Sequence, residues 1–347
     1  CIFNCSKIHI INKEMSKNFY PLIGFSSGDP NGIGLEVLLK SLSDSTLCNE
    51  FKPVVFVNHK LIESQNEFFK TNCQIIQINN IEEASPGLIN VLSINDKKFD
   101  QKFGESNQLG GEFSRDSLFC AAKYLSEKKI DALVTAPINK NNIQSEDFNF
   151  KGHTDFLDSC FQGDSLMFMV SDDIKVALLT EHIPINNIVE KITPALIKKR
   201  TKIIEHSLKK DFNIKNPKIA VLSINPHVGD NGVIGDEDDN ILIPSIKKIY
   251  KSGVDIEGPF ASDSFFGSDA YKKYDAIIAS YHDQGLIPFK TLTFGKGVNY
   301  TAGLNVVRTS PDHGTAYNIS GKNKANEGSF KSAIVTALNI LKNRGKI

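Results

Sequence analysis

Residues 274–285 read YDAIIASYHDQG, a short apolar run that stops at a histidine, two more polar residues and a glycine. An apolar run of this length, bounded by turn-type residues, is the pattern of a buried strand. The pattern recurs three times: IDALVTA (130–136) runs into PINK, VALLT (176–180) into EHIPI, and KIAVLSI (218–224) into NPHVGD. PLIGFSS (21–27) and PVVFVN (53–58) read as further strands. Between them lie segments with apolar residues at helical spacing, namely LEVLLKSLSD (35–44), FSRDSLFCAAKYLSEKK (113–129), ITPALIKKRTKIIEHSLKK (192–210) and NILIPSIKKIYKSG (240–253). Strands and helices in alternation predict α/β layers around a largely parallel sheet. Ligands of open α/β sheets bind beyond the carboxyl ends of strands, which is where His182, His227 and His282 fall.

Composition narrows the classes. A chain of 347 residues predicts two domains or one large α/β unit. Lys+Arg and Asp+Glu are equal at 40 each, so no global field draws in nucleic acid or an anionic membrane. The lysines of 198–212 alternate with apolar residues and read as a solvated helix face. Six cysteines at 1, 5, 48, 73, 120 and 160 show no CxxC pair or compact framework, the usage of free thiols in a reducing cytoplasm. No apolar run approaches the roughly 20 residues of a membrane span. CIFNCSKIHIINKEM (1–15) lacks a continuous apolar segment, so Met15 is expected to be the start, with 1–14 a disordered or non-native extension.

Three imidazoles from separate strand ends suit a divalent transition metal with open positions for substrate; each taken alone reads as a hydrogen-bonded structural residue instead. Asp283 either accepts the second ring proton of a histidine ligand or starts a turn at Gly285, and Gln284 is a second candidate partner. In KGHTDFLDSC (151–160), His153 and Thr154 offer an imidazole and a hydroxyl, while Thr154 or Asp155 also suits a helix N-cap. The glycine-rich stretch 290–330 carries Lys290, Asn299 and Arg308, which suit a phosphate or carboxylate. SSGDPNGIGLEVLLK (26–40) looks like a nucleotide loop, but its glycines miss the GxGxxG spacing and no GK[ST] follows. It reads as a tight strand-to-helix connection.

GDPNGIGLE, VTAPINK, GHTDFL, EHIPI, NPHVGDNGVIGDE, YDAIIASYHDQGLIPFK, FGKGVNYTAGL and RTSPDHGTA, in that order from about Pro21 to Phe330, closely resemble the 4-hydroxythreonine-4-phosphate dehydrogenases, the NAD-dependent enzymes of pyridoxal phosphate biosynthesis. The resemblance implies a metal on His182, His227 and His282 (Zn, Mg or Co), and substrate contacts from His153, Thr154, Lys290, Asn299 and Arg308. It implies a homodimer with the active site shared across its interface, and two α/β/α domains with a cleft between them, isocitrate/isopropylmalate dehydrogenase-like and without a Rossmann fold. On this pattern residues 15–135 plus 304–347 form the first domain and 136–303 the second, with the metal and substrate site. Lys290 and Asp263 are the catalytic candidates. His313, Gly314, Thr315 and Asn326 are expected at NAD, with NADP as the alternative. The implied reaction oxidises 4-phosphooxy-L-threonine to a β-keto acid that decarboxylates to 3-amino-2-oxopropyl phosphate. The rivals are a relative acting on 4-phospho-threonate or 4-phospho-erythronate, a metal-dependent hydrolase, and a binding protein without catalysis. Asn31, Leu35 and Asn305 depart from the residues usual in the family.

Overall fold

The computed structural model describes residues 20–347. The expected start at Met15, the extension 1–14 and two of the six cysteines lie outside the described residues; the other four cysteines are free thiols. Twelve strands are described: β1 (Leu22–Ser26), β2 (Lys52–Phe56), β3 (Ile75–Ile78), β4 (Ile89–Leu92), β5 (Ala132–Thr135), β6 (Gly163–Val170), β7 (Lys175–Leu178), β8 (Ile219–Leu222), β9 (Ile256–Phe260), β10 (Ala276–Ala279), β11 (Val298–Leu304) and β12 (Arg308–Pro311). They form one sheet in the order β3-β4-β2-β1-β5-β12-β11-β6-β7-β10-β8-β9.

Pairing is parallel except where β11 meets β12 and β6, and where β6 meets β7. The mixed α/β fold with a mostly parallel sheet therefore agrees with the alternation in the sequence. One half of the sheet, from β3 to β12, comes from residues 22–135 and 308–311, and the other from 163–304.

Both faces of the sheet are covered, which is why its strands are continuously apolar. Along β1 and β2, Ile23, Phe25 and Val55 enter one buried cluster, while Val54 and Phe56 enter another on the opposite face. In β10, Ala276 and Ile278 join the first cluster, and Ile277 and Ala279 pack against Val176 and Leu178 of β7. Side chains alternate between faces with period two, so each four-residue strand serves two cores. No helix among the described residues is long and apolar enough to cross a membrane.

The helix starts follow from local chemistry. Asn107 accepts from the Gly110 amide at 2.8 Å and starts the helix Gln108–Ser126 five residues before the apolar pattern of 113–129 begins. Thr193 caps Pro194–Lys210, with proline in the first turn where its missing N–H is harmless. The pattern of 240–253 resolves into a π-helical turn, Asp238–Leu242, followed by the α-helix Ile243–Tyr250.

One expectation about these elements needs correction. Gly285 does not start a turn: it lies inside the helix His282–Thr293. A Cβ there would come within 2.8 Å of Val176 Cγ1 and 2.9 Å of Leu178 Cδ2, so the glycine lets that helix lie close on the sheet. The polar stretch 290–330 contains two central strands, β11 and β12. In those strands Arg308, Thr301 and Thr309 are buried, with their bonds made to one another and to Thr135 and Ala333 O, partners that composition does not display.

Candidate functional site

The carboxyl ends of β5, β7 and β10 and the adjoining parts of β11 and β12 enclose a cavity of about 650 Å³. Of the residues expected in the site, it brings together His153, Thr154, His182, His282, Lys290, Asn299, Arg308, His313 and Gly314. Sheet order explains the convergence: β5, β12 and β11 are neighbours, as are β7 and β10.

Arg308 opens β12 and is 1% exposed. Its Nη2 and Nε donate to Thr135 Oγ1 at 2.6 and 3.2 Å, and its Nη1 donates to Thr301 Oγ1 at 3.0 Å. Hydroxyls are its only side-chain partners among the described residues, and burial with no opposing charge pushes its pKa down to about 9. His153 begins the helix His153–Cys160. Burial, then the charges of Arg308 and Lys140, hold its ring well below the usual histidine pKa, and its Nε2 is inaccessible to water without a hydrogen-bond partner. Gly152 holds the N-cap position with no side-chain bond, so neither Thr154 nor Asp155 caps this helix. Asn299 Oδ1 is a second buried atom without a partner. A guanidinium without a carboxylate beside an unpartnered imidazole nitrogen suits an anion, whereas the Asn299 oxygen suits a donor such as a hydroxyl.

Across the cavity, the rings of His182 and His282 lie 5.6 Å apart, centroid to centroid. Asp283 Oδ1 is 2.7 Å from His282 Nδ1; as a carboxylate it accepts a hydrogen bond from Nδ1–H and leaves Nε2 unprotonated, with its lone pair free to bind a metal. Its place in the cleft, then the charges of Lys140, His282 and Lys151, lower the His182 pKa. Lys290 Nζ donates to the carbonyl of Asp312 at 2.8 Å and so braces the backbone leading into His313.

The remaining predicted residues lie elsewhere. His227 is exposed at the end of β8, at the start of a run from 227 to 232 in the left-handed region, including the β-branched Val228 at φ +58°. It lines a neighbouring cavity of about 690 Å³ together with Asp263, Asp283 and Gln284. Asp263 is therefore apart from Lys290 in this chain. Gln284 is a clamp: it accepts from the Ser280 amide and donates to Ser223 O and Ser262 Oγ, tying three strand ends together. Thr315 accepts from the Ile33 amide at 3.0 Å, and Asn326 Oδ1 accepts from the Gly328 amide at 2.8 Å; neither lines the first cavity.

Among the described residues of one chain, no three His, Cys, Asp or Glu side chains are grouped to hold a metal. Two facing imidazoles, one oriented by a carboxylate, nevertheless suit a divalent ion bound at roughly 2.0–2.1 Å from each nitrogen, given one further ligand. His313 suits a cofactor, because its Nε2 is buried at the cavity without a partner. Two contributors escaped the sequence reading. Lys140 lines the cavity, and its signal was the polar end of PINK; Thr135, the hydroxyl that holds Arg308, is the last residue of the same strand.

Residues 49–337 match the family model described as "Pyridoxal phosphate biosynthetic protein PdxA". The chain is 42% identical over 324 residues to the 4-hydroxythreonine-4-phosphate dehydrogenase of Bacteroides thetaiotaomicron, covering 93% of this chain and 89% of that protein. It is 33% identical over 331 residues to a protein of Oceanobacillus iheyensis that bears, provisionally, the name D-threonate 4-phosphate dehydrogenase, with coverage of 94% and 99%. The crystal structure of the 4-hydroxythreonine-4-phosphate dehydrogenase of Klebsiella pneumoniae superposes with a TM-score of 0.81 at 31% identity, over 94% of this chain and 99% of that one.

Proposed function

The chain belongs to the PdxA family of pyridoxal phosphate biosynthetic proteins, and from that premise we propose that it oxidises 4-phosphooxy-L-threonine with NAD and a divalent metal. The observation that carries the reading is Arg308, a buried guanidinium held by hydroxyls alone, at one side of a cavity whose other side presents His182 and His282. A substrate with an anionic group and a hydroxyl fits that division.

Arg308, His153 and Asn299 bind the anionic ends of the substrate: the guanidinium and the Asn299 Nδ2 amide donate to the anion, and His153 donates through Nε2. Neutral His153 makes that bond without adding charge. His182 and His282, with His227 from a second copy of the chain, would hold the metal, and Asp283 fixes the tautomer of His282. Lys290 takes the hydroxyl proton, directly or through a group bonded to it, and His313 and Gly314 orient the cofactor. The bound metal and NAD supply Lewis acidity and a hydride acceptor. Oxidation of the alcohol gives a β-keto acid; loss of carbon dioxide leaves 3-amino-2-oxopropyl phosphate. On this reading the working unit is a homodimer.

The test is NADH formation by purified, metal-loaded protein, with 4-phosphooxy-L-threonine and 4-phospho-D-threonate assayed side by side. Preference for the first supports the reading, preference for the second reassigns the substrate within the family, and turnover without nicotinamide points to a hydrolase.

A further inference from the structure

The segment GDPNGIG, which fails as a nucleotide motif, has a different place in the fold. Asp29 is fully buried. Its Oδ2 accepts from the Tyr317 hydroxyl at 2.7 Å and from Asn142 Nδ2 at 2.7 Å, and its Oδ1 accepts from the Asn31 amide at 2.9 Å. The Tyr317 hydroxyl in turn accepts from Asn139 Nδ2 at 3.1 Å. All of these partners of the carboxylate are neutral. The side-chain partners, Asn142 and Tyr317, belong to two segments far apart in sequence, the turn 137–142, which carries Lys140 into the substrate cavity, and the loop 313–319, which carries His313.

The backbone around Asp29 joins the same two segments. The Asp29 amide donates to Pro137 O at 3.0 Å, and the Ile33 amide donates to Thr315 O at 3.0 Å. Gly28, at φ +63°, lies so close to the turn that a Cβ would meet Pro137 O at 2.3 Å, and a Cβ on Gly32 would meet Thr315 O at 2.8 Å. Burial, then the bond to Asp29, push the Tyr317 pKa up to about 12, so the phenol remains a donor throughout the working range of pH. A charged acceptor buried among neutral donors holds them more strongly than a neutral one would, and losing one donor leaves a charge underbonded in a dry site.

We propose that Asp29 is a positioning residue that locks the turn 137–142 to the loop 313–319, so that the substrate side and the cofactor side of the cavity are ordered as one unit and bind their ligands cooperatively. The identity of the two ligands rests on the reading in the preceding subsection; the locking of the two segments does not. Ordering both segments once, for whichever ligand arrives first, lowers the cost for the second, and the coupling is reciprocal.

The experiment compares the wild type with Tyr317→Phe, which removes one hydroxyl and keeps the ring, and with Asp29→Asn. Amide hydrogen exchange is followed in both segments, and the affinity for 4-phosphooxy-L-threonine is measured with and without saturating NADH, a pair that cannot turn over. The expected result is faster exchange in 137–142 and 313–319 together, and an NADH-dependent gain in substrate affinity of about fivefold or more in the wild type that falls towards one in both variants, while each ligand alone still binds. Faster exchange in only one segment, or coupling unchanged in Tyr317→Phe, overturns the proposal. If the wild type binds no NADH, the functional reading fails, and the paired exchange behaviour still decides whether Asp29 locks the two segments.

Discussion

Thr135 Oγ1 accepts from Arg308 Nη2 at 2.6 Å, and this hydroxyl takes the place in which a buried arginine ordinarily meets a carboxylate. The folded protein therefore holds an uncompensated positive charge. With the Arg308 pKa pushed down to about 9, the cost of burying the charged form is fully present below that pH and fades as pH rises towards the ordinary arginine value. Arg308→Met is expected to leave the melting temperature unchanged or raised, because it removes the cost, while substrate affinity falls by about 100-fold or more. Thermal melts check the pair of effects: inorganic phosphate should stabilise the wild type and leave the variant unmoved.

His182 and His282 share one cavity and His227 lines another, so a shared metal site predicts complementation between chains. His282→Ala and His227→Ala are each expected to be inactive with little bound metal. Unfolding and refolding them together should restore about a quarter of wild-type activity, since half of the dimers are mixed and one of their two sites is intact. No recovery would show that the site is built within one chain.

Asp283→Asn keeps the shape of the side chain and removes the charge that orients the His282 ring. Metal affinity is expected to fall by about 10- to 100-fold. Because Asp283 is largely exposed, the melting temperature of the metal-free protein should move little. Titration with cobalt or zinc reads the first effect and calorimetry the second.

Gly285→Ala places a methyl group against Val176, Leu178 and Ala279. The helix His282–Thr293 must lift from the sheet, at a cost of about 1–3 kcal/mol in denaturant melts. The same shift moves His282 relative to β7, so metal binding should weaken along with stability.

His153, held well below the usual histidine pKa by burial and the neighbouring charges, stays neutral in the fold while the unfolded chain takes up a proton below about pH 6.5. Stability is therefore expected to fall as pH drops through that value. His153→Asn should flatten the dependence of melting temperature on pH between about 7.5 and 5. A steeper slope in the variant would show that His153 is protonated in the fold.

Local pattern made much of the architecture legible. An apolar run of four or five residues followed by a polar loop with a histidine or a proline identifies a buried strand in β5, β7, β8 and β10. The sequence reading did not resolve β3, β4, β6, β9, β11 or β12. Asn299, Thr301 and Arg308 make the last two look like loop, and nothing local shows that Thr301 and Thr135 satisfy the guanidinium. Gly285 reads as a turn residue for a similar reason: two of the side chains that require a residue without a Cβ there, Val176 and Leu178, are more than 100 positions away.

What the sequence determined by itself is the alternation of strand and helix, the polar strand ends and the identity of the residues there, because period and punctuation depend on neighbours along the chain. Tertiary structure alone decided which of those ends meet. Long-range pairing sets β5, β12 and β11 side by side and β7 beside β10, bringing Thr135, Arg308 and Asn299 to one side of the cavity and His182 and His282 to the other. The same pairing leaves His227 facing a second cavity and folds GDPNGIG between two distant loops, where its buried Asp29 joins them. One dimension fixed the chemistry of each group; only the closed sheet fixed its partners.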